Sequence, residues 1–120
     1  MTNNQNPKYD LEERTYVFAR DVRKYVKSMP KSISNIEDAK QVVRSSGSIG
    51  ANYIEANEAL SKKDFLMRIK ISRKEAKESI YWLRLLVDNN PDKFKDTGEK
   101  LISETTELKK ILSAILEKSK

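Results

Sequence analysis

Seven of the sixteen residues in KKDFLMRIKISRKEAK, positions 62–77, are basic. They stand against only Asp64 and Glu75. Residues 1–61, by contrast, hold nine basic and eight acidic residues. Nearly all of the net charge of +6 is therefore concentrated in one short stretch. On a helix of 3.6 residues per turn, Lys63, Lys70, Lys74, Lys77 and Arg84 share one strip, with Tyr81 among them. Lys62, Arg68 and Arg73 flank it. Such a strip neutralises phosphates in any nucleic acid without reading base sequence. Two other readings fit the same residues. One is a solvated face that keeps the chain soluble. The other is a dock for an acidic protein.

Other chemistries are poorly supplied. The chain has no histidine and no cysteine, which excludes Ser-His and Cys-His catalysis and any disulfide framework. Carboxylates are then the remaining metal ligands. Glu55 with Glu58 is one such pair, but nothing completes a site around it. No enzyme, metal or cofactor is expected. Gly47-Ser-Ile-Gly50 matches the short G-x-x-G clamp of KH domains, yet the strands of that fold are missing. A phosphate-binding loop of the G-x-x-x-x-G-K-[ST] type is also absent. The polar residues Arg44, Ser48, Asn52 and Glu55 fall within one arc of roughly 80° on a helix. They predict a hydrogen-bonded ladder to another helix or chain.

These residues must be positioned by helices. Four capping signals, Asp10-x-x-Glu13, Ser34-x-x-Glu37, Ser61-x-x-Asp64 and Asp96-x-x-Glu99, each pair a cap with an acid three residues on. Pro30 and Asn90-Pro91 mark breaks. The apolar spacing predicts helices over about 10–28, 35–60, 62–89 and 97–118. Their expected inner faces begin at Leu11, Ile36, Phe65 and Leu101. On the second helix that face runs through Val43, Ser46, Gly50, Tyr53 and Leu60. Short connections make neighbours antiparallel, so an all-α, up-down-up-down four-helix bundle follows. Residues 9–120 form its single domain, after a disordered lead at 1–8. Gly47 and Gly50 sit on the core side and allow close approach of a neighbouring helix.

The third helix is apolar on more than one side. Met67, Ile71, Trp82 and Leu85 lie roughly opposite Phe65, Ile69, Ala76 and Leu83, with Glu75 and Glu78 close by. This second arc predicts contact with another subunit; a wide core contact with both neighbouring helices is the other reading. The expected inter-helix or subunit contacts are thus Arg44, Ser48, Asn52, Glu55, Met67, Ile71, Glu78 and Trp82. No apolar run reaches the ~18–20 residues of a membrane span. A soluble, cytoplasmic chain is expected, with no membrane partner.

The stretch RSSGSIGANYIEANEALSKKDFLMRIKISRKEAKESIYWLRLL, residues 44–86, resembles the bacterial 23S rRNA intervening-sequence family. The family pattern R-x-x-x-S-I-x-x-N-x-x-E, a Phe opening the next helix and a later Glu map onto Arg44, Ser48, Ile49, Asn52, Glu55, Phe65, Glu78 and Leu83. Ala56 stands where many members have Gly, and Lys74-Glu75 where many have small residues. The resemblance implies four antiparallel helices and a ring-like homopentamer. Members of the family are encoded within insertions of large-subunit rRNA genes. A related branch is the accessory protein of diversity-generating retroelements, a pentamer with a basic surface that binds reverse transcriptase and nucleic acid. The expected function is therefore a non-enzymatic, oligomeric nucleic-acid-binding accessory protein, contacting RNA or DNA through the third-helix strip. The alternative is a protein–protein scaffold or adaptor, for example one docking a reverse transcriptase.

Overall fold

The computed structural model describes residues 7–120, with side chains from Leu11 onward. Four helices follow in order: α1 (Pro7–Lys27), α2 (Ile33–Asn57), α3 (Lys62–Asp88) and α4 (Lys95–Lys118). A single 3-10 turn, Asp92–Phe94, leads into α4. Each helix packs against its sequence neighbour, and α1 closes against α4. This is the up-down-up-down four-helix bundle. The α2–α3 contact is the most extensive and the α1–α4 contact the least. The core is one continuous cluster that includes Phe18, Val22, Val42, Ile49, Ile69, Leu83, Leu86, Leu108 and Leu112.

Several boundaries differ from those the sequence predicts. The disordered lead assigned to 1–8 falls mostly on residues 1–6, outside the described residues. Residues 7 and 8 already belong to α1. Asp10 therefore lies within the helix rather than at its cap. At α2 the capping residue is Ser32, not Ser34: its Oγ accepts from the Asn35 backbone N–H at 3.1 Å. The Asn35 side chain explains the choice. It pairs reciprocally with Asn90, at 2.7 and 2.9 Å, and donates to the Pro30 carbonyl. That amide pair ties the α1–α2 connection to the α3–α4 connection. Ser61 caps α3 as expected, accepting from the Asp64 N–H at 3.0 Å. Asp96 does not cap α4, which continues out of the 3-10 turn with Phe94 at the cap position. Phe94 is buried, and its carbonyl accepts the Tyr25 hydroxyl at 2.9 Å.

The buried face of α2 is also rotated from the expected one. Val42, Ser45, Ile49 and Ala56 join the expected Ser46, Gly50 and Tyr53 in the buried set, whereas Ile36 is 48% exposed and Leu60, 99% exposed, lies past the end of α2 at Asn57. Because α2 makes its widest contact with α3, the centre of burial shifts by about one residue toward that neighbour. On α3, Glu75 is buried and Trp82 packs against the core cluster of its own chain. The α3 residues Ser72, Glu75, Ser79 and Leu86 join Ile69, Ala76 and Leu83 in the buried arc.

The three glycines have different surroundings. A Cβ on Gly50 would stand 2.7 Å from Thr15 Oγ1, so glycine permits the close α1–α2 approach there. A Cβ on Gly47 would meet only the far end of the Arg23 side chain, at 3.2 Å. The tightest position is Gly98, at which a Cβ would overlap Val87 Cγ2 and the Tyr25 hydroxyl.

Candidate nucleic-acid interface

The basic strip is an exposed ridge along α3. Lys63, Lys70, Lys74, Lys77 and Arg84 all face solvent, with Lys62 at the start. Their spacing comes from the helix repeat, and the ridge from 63 to 84 is ~31 Å long at 1.5 Å per residue. Ser61 secures the N-terminal end of the helix through its cap. The opposite face is held by Ile69, Ser72, Ala76 and Leu83 in the core. The ridge is thus fixed to a rigid element, although each lysine stem is free to move.

Charge pairing along the ridge is sparse. Lys74 Nζ stands 3.9 Å from Glu75 Oε2, at the limit of an ion pair. Among the described residues, none of Lys62, Lys63, Lys70, Lys77 and Arg84 forms an ion pair. Tyr81 is 57% exposed between Lys77 and Arg84. Its ring meets Trp82 edge-on, with centroids 5.0 Å apart. An exposed ring within a row of cations offers a stacking platform beside phosphate contacts.

Two of the residues expected to flank the ridge are less exposed than the rest. Arg68 and Arg73 are half-buried, and Arg68 Nη1 donates to Asn52 Oδ1 at 3.2 Å. Arg68 therefore links α3 to α2. The fully exposed cations of the expected set are Lys62, Lys63, Lys70, Lys74, Lys77 and Arg84, with Arg73 half-buried beside them.

The polar arc of α2 is split in the same way. Arg44 Nη2 donates to Glu75 Oε1 at 3.2 Å and to Glu78 Oε1 at 3.0 Å. Asn52 accepts from Arg68 and donates to the Ser48 carbonyl at 2.9 Å. These are bonds across the α2–α3 seam or within α2. Glu55 is exposed and forms no ion pair among the described residues. Met67 is 46% exposed, and Ile71 is half-buried.

Sequence reasoning missed the interior of that seam. Ser45 and Ser79 hydroxyls lie 2.8 Å apart, fully buried. Ser72 Oγ donates to the Ile49 carbonyl at 2.7 Å. Ser72 and Ser79, seven residues apart on an apolar helix face, were the available signal. Small hydroxyl residues at that spacing let two backbones close together while each oxygen keeps a partner. No buried side-chain polar atom among the described residues lacks a hydrogen-bond partner. Nor does any described group of three or more acidic residues form a metal cluster.

Fold and surface together define an all-α four-helix bundle with one solvent-facing cationic ridge. The family model for the 23S rRNA-intervening sequence protein matches residues 8–114, and the chain belongs to that family. A crystal structure of a Bacteroides thetaiotaomicron protein of unknown function, from the S23 ribosomal protein family, superimposes with a TM-score of 0.73. It is 33% identical, and the alignment covers 88% of this chain and 97% of that one. No curated protein matches. No described helix is long and apolar enough to cross a membrane.

Proposed function

We propose that this chain is a non-enzymatic nucleic-acid-binding accessory protein, acting as an oligomer in the cytoplasm. The observation that carries this reading is the α3 ridge: Lys62, Lys63, Lys70, Lys74, Lys77 and Arg84 exposed, with one marginal carboxylate contact. Cations without partners on a rigid helix gain most from phosphate, through release of condensed counterions. Tyr81 adds a base-stacking surface. The ring-like homopentamer implied by the family resemblance would repeat the ridge around the assembly, and repeated weak sites give avidity. Glu55 and Met67 are the exposed members of the expected contact set whose side chains no bond or ion pair engages among the described residues, with Ser48 and Ile71 half-buried beside them. Arg44, Asn52, Glu78 and Trp82 are engaged within the chain.

The test is electrophoretic mobility of short single-stranded and duplex RNA and DNA over a salt series. Engaging about five phosphates gives a slope of log K against log salt of about −4. Replacing Lys70, Lys74 and Lys77 by Glu abolishes the shift while helicity by circular dichroism is unchanged. Absence of binding at low salt, or binding indifferent to salt, overturns the reading. A protein captured through the ridge and retained after nuclease treatment supports the scaffold instead, and a reverse transcriptase among the captured proteins points to the retroelement role. Light scattering reports assembly directly, since a 13.9 kDa species is a monomer.

A further inference from the structure

The α1–α4 seam contains a half-open groove of about 590 Å³. Ligand pockets of small molecules fall in the range of about 300–1,000 Å³, and the space between bundle helices is a recurrent place for them. Its floor is apolar. Val17 and Phe18 of α1 face Phe94 and Leu101 across the seam. The groove is held open by its own architecture. At one end the Tyr25 hydroxyl is bonded to the Phe94 carbonyl, and Gly98 is wedged against Tyr25 and Val87. Further along, Arg14 grips Glu104 through two bonds, of 2.7 and 2.9 Å.

Within the groove's own lining the charges are not balanced, although Lys100 also borders Asp96, Glu99 and Glu107 in an adjoining hollow. Lys24, Lys93 and Lys100 line the groove from α1, the 3-10 turn and α4. Among the described residues, none of the three has a carboxylate within ion-pair distance. Both acids of the lining are already taken: Glu104 by Arg14 and Asp21 by Arg20. Lys93 Nζ stands 5.3 Å from the centroid of the Phe94 ring, so one ammonium overhangs the apolar floor. Three like charges around an apolar hollow repel one another, and an anion relieves that repulsion while covering the floor.

We propose that this groove binds a small amphipathic anion, with an apolar body on Val17, Phe18, Phe94 and Leu101 and an anionic head among Lys24, Lys93 and Lys100. The volume suits a soluble small molecule. A peptide helix would need a longer trough than the ~15 Å between positions 17 and 27 of α1. The site is separate from the α3 ridge and does not depend on nucleic-acid binding.

The experiment is calorimetric titration of the full chain with sodium octanoate below micelle-forming concentrations, with octan-1-ol as the neutral control. The expected result is one octanoate per chain, at least tenfold tighter than the alcohol. The triple variant Lys24→Ala, Lys93→Ala, Lys100→Ala weakens octanoate at least tenfold. Val17→Trp, which fills the groove from its half-buried rim, removes binding with an unchanged melting temperature. The ridge variant Lys70→Glu, Lys74→Glu, Lys77→Glu retains it. No heat of binding to the parent chain overturns the proposal. So does equal affinity for octanol, or binding that survives Val17→Trp in a folded protein.

Discussion

The α2–α3 and α1–α4 seams are both helix pairs of one bundle, yet they are built by opposite means. Across α2–α3 the contact residues are small and polar: Ser45, Ser72 and Ser79, all fully buried. Their hydroxyls are bonded across the seam, and Arg44 clasps Glu75 and Glu78 at its rim. Across α1–α4 the contact residues are large and apolar, with Phe18, Tyr25, Phe94 and Leu101 propping the helices apart. Small side chains bring backbones together and require every polar atom to find a partner. Bulky rings hold helices apart, and incomplete closure leaves a groove.

The comparison is broken most readily by adding volume. Ser72→Leu, in the closed seam, costs about 2–3 kcal/mol through overpacking and the loss of the bond to Ile49. Val17→Leu, at the open one, stays within about 0.5 kcal/mol. Equal melting temperatures for the two variants would contradict the contrast. Gly98→Ala comes next, at about 2 kcal/mol, because its Cβ has no room between Tyr25 and Val87. Gly47→Ala is neutral or slightly stabilising, since only the end of Arg23 must move and helix propensity improves. Denaturant midpoints of the pair show whether the narrow end of the α1–α4 seam is as rigid as its geometry suggests.

Ion pairs sharpen the contrast at lower cost. Arg44→Ala leaves Glu75, whose side chain is 8% exposed, with only Lys74 at 3.9 Å. The expected loss is about 1–2 kcal/mol. Arg14→Ala breaks a pair whose side chains are 36% and 31% exposed, and costs less than about 1 kcal/mol. Urea titrations of both give the order.

The smallest effect is one of pH. Burial pushes the Tyr25 phenol up from its ordinary value of 10.0 to about 12. The folded chain therefore holds the phenolic proton more tightly than the unfolded chain. This contribution is fully present below pH 10 and is lost as pH rises toward 12. Tyr25→Phe is less stable than the parent at neutral pH, having lost the bond to Phe94. The gap narrows from pH 10 upward, as thermal melts at stepped alkaline pH will read.

Fold class was legible because periodic apolar positions, Pro30, Asn90-Pro91 and Ser61 are local signals. The ridge was legible for the same reason: Lys63, Lys70, Lys74, Lys77 and Arg84 are exposed residues spaced along one helix. Arg68 is drawn toward α2 by its bond to Asn52, which was not legible because a helical wheel shows angle but not the neighbour. The same gap produced the shifted face of α2, on which Ile36 stands in solvent, while Leu60 lies past the end of the helix. Caps failed where a tertiary bond outweighed the local pattern, as Asn35–Asn90 does at Ser32 and Tyr25–Phe94 does at the start of α4.

By itself, then, the order of residues determined four amphipathic helices, their antiparallel sequence and a cationic strip on the third, since each depends on residues within a few turns of one another. Only the tertiary structure decided which serines meet across α2–α3, that Arg68 bonds across to α2 and where α1 and α4 part to leave a groove. Those outcomes depend on side chains far apart in the chain, whose sizes and charges act only once the helices are packed.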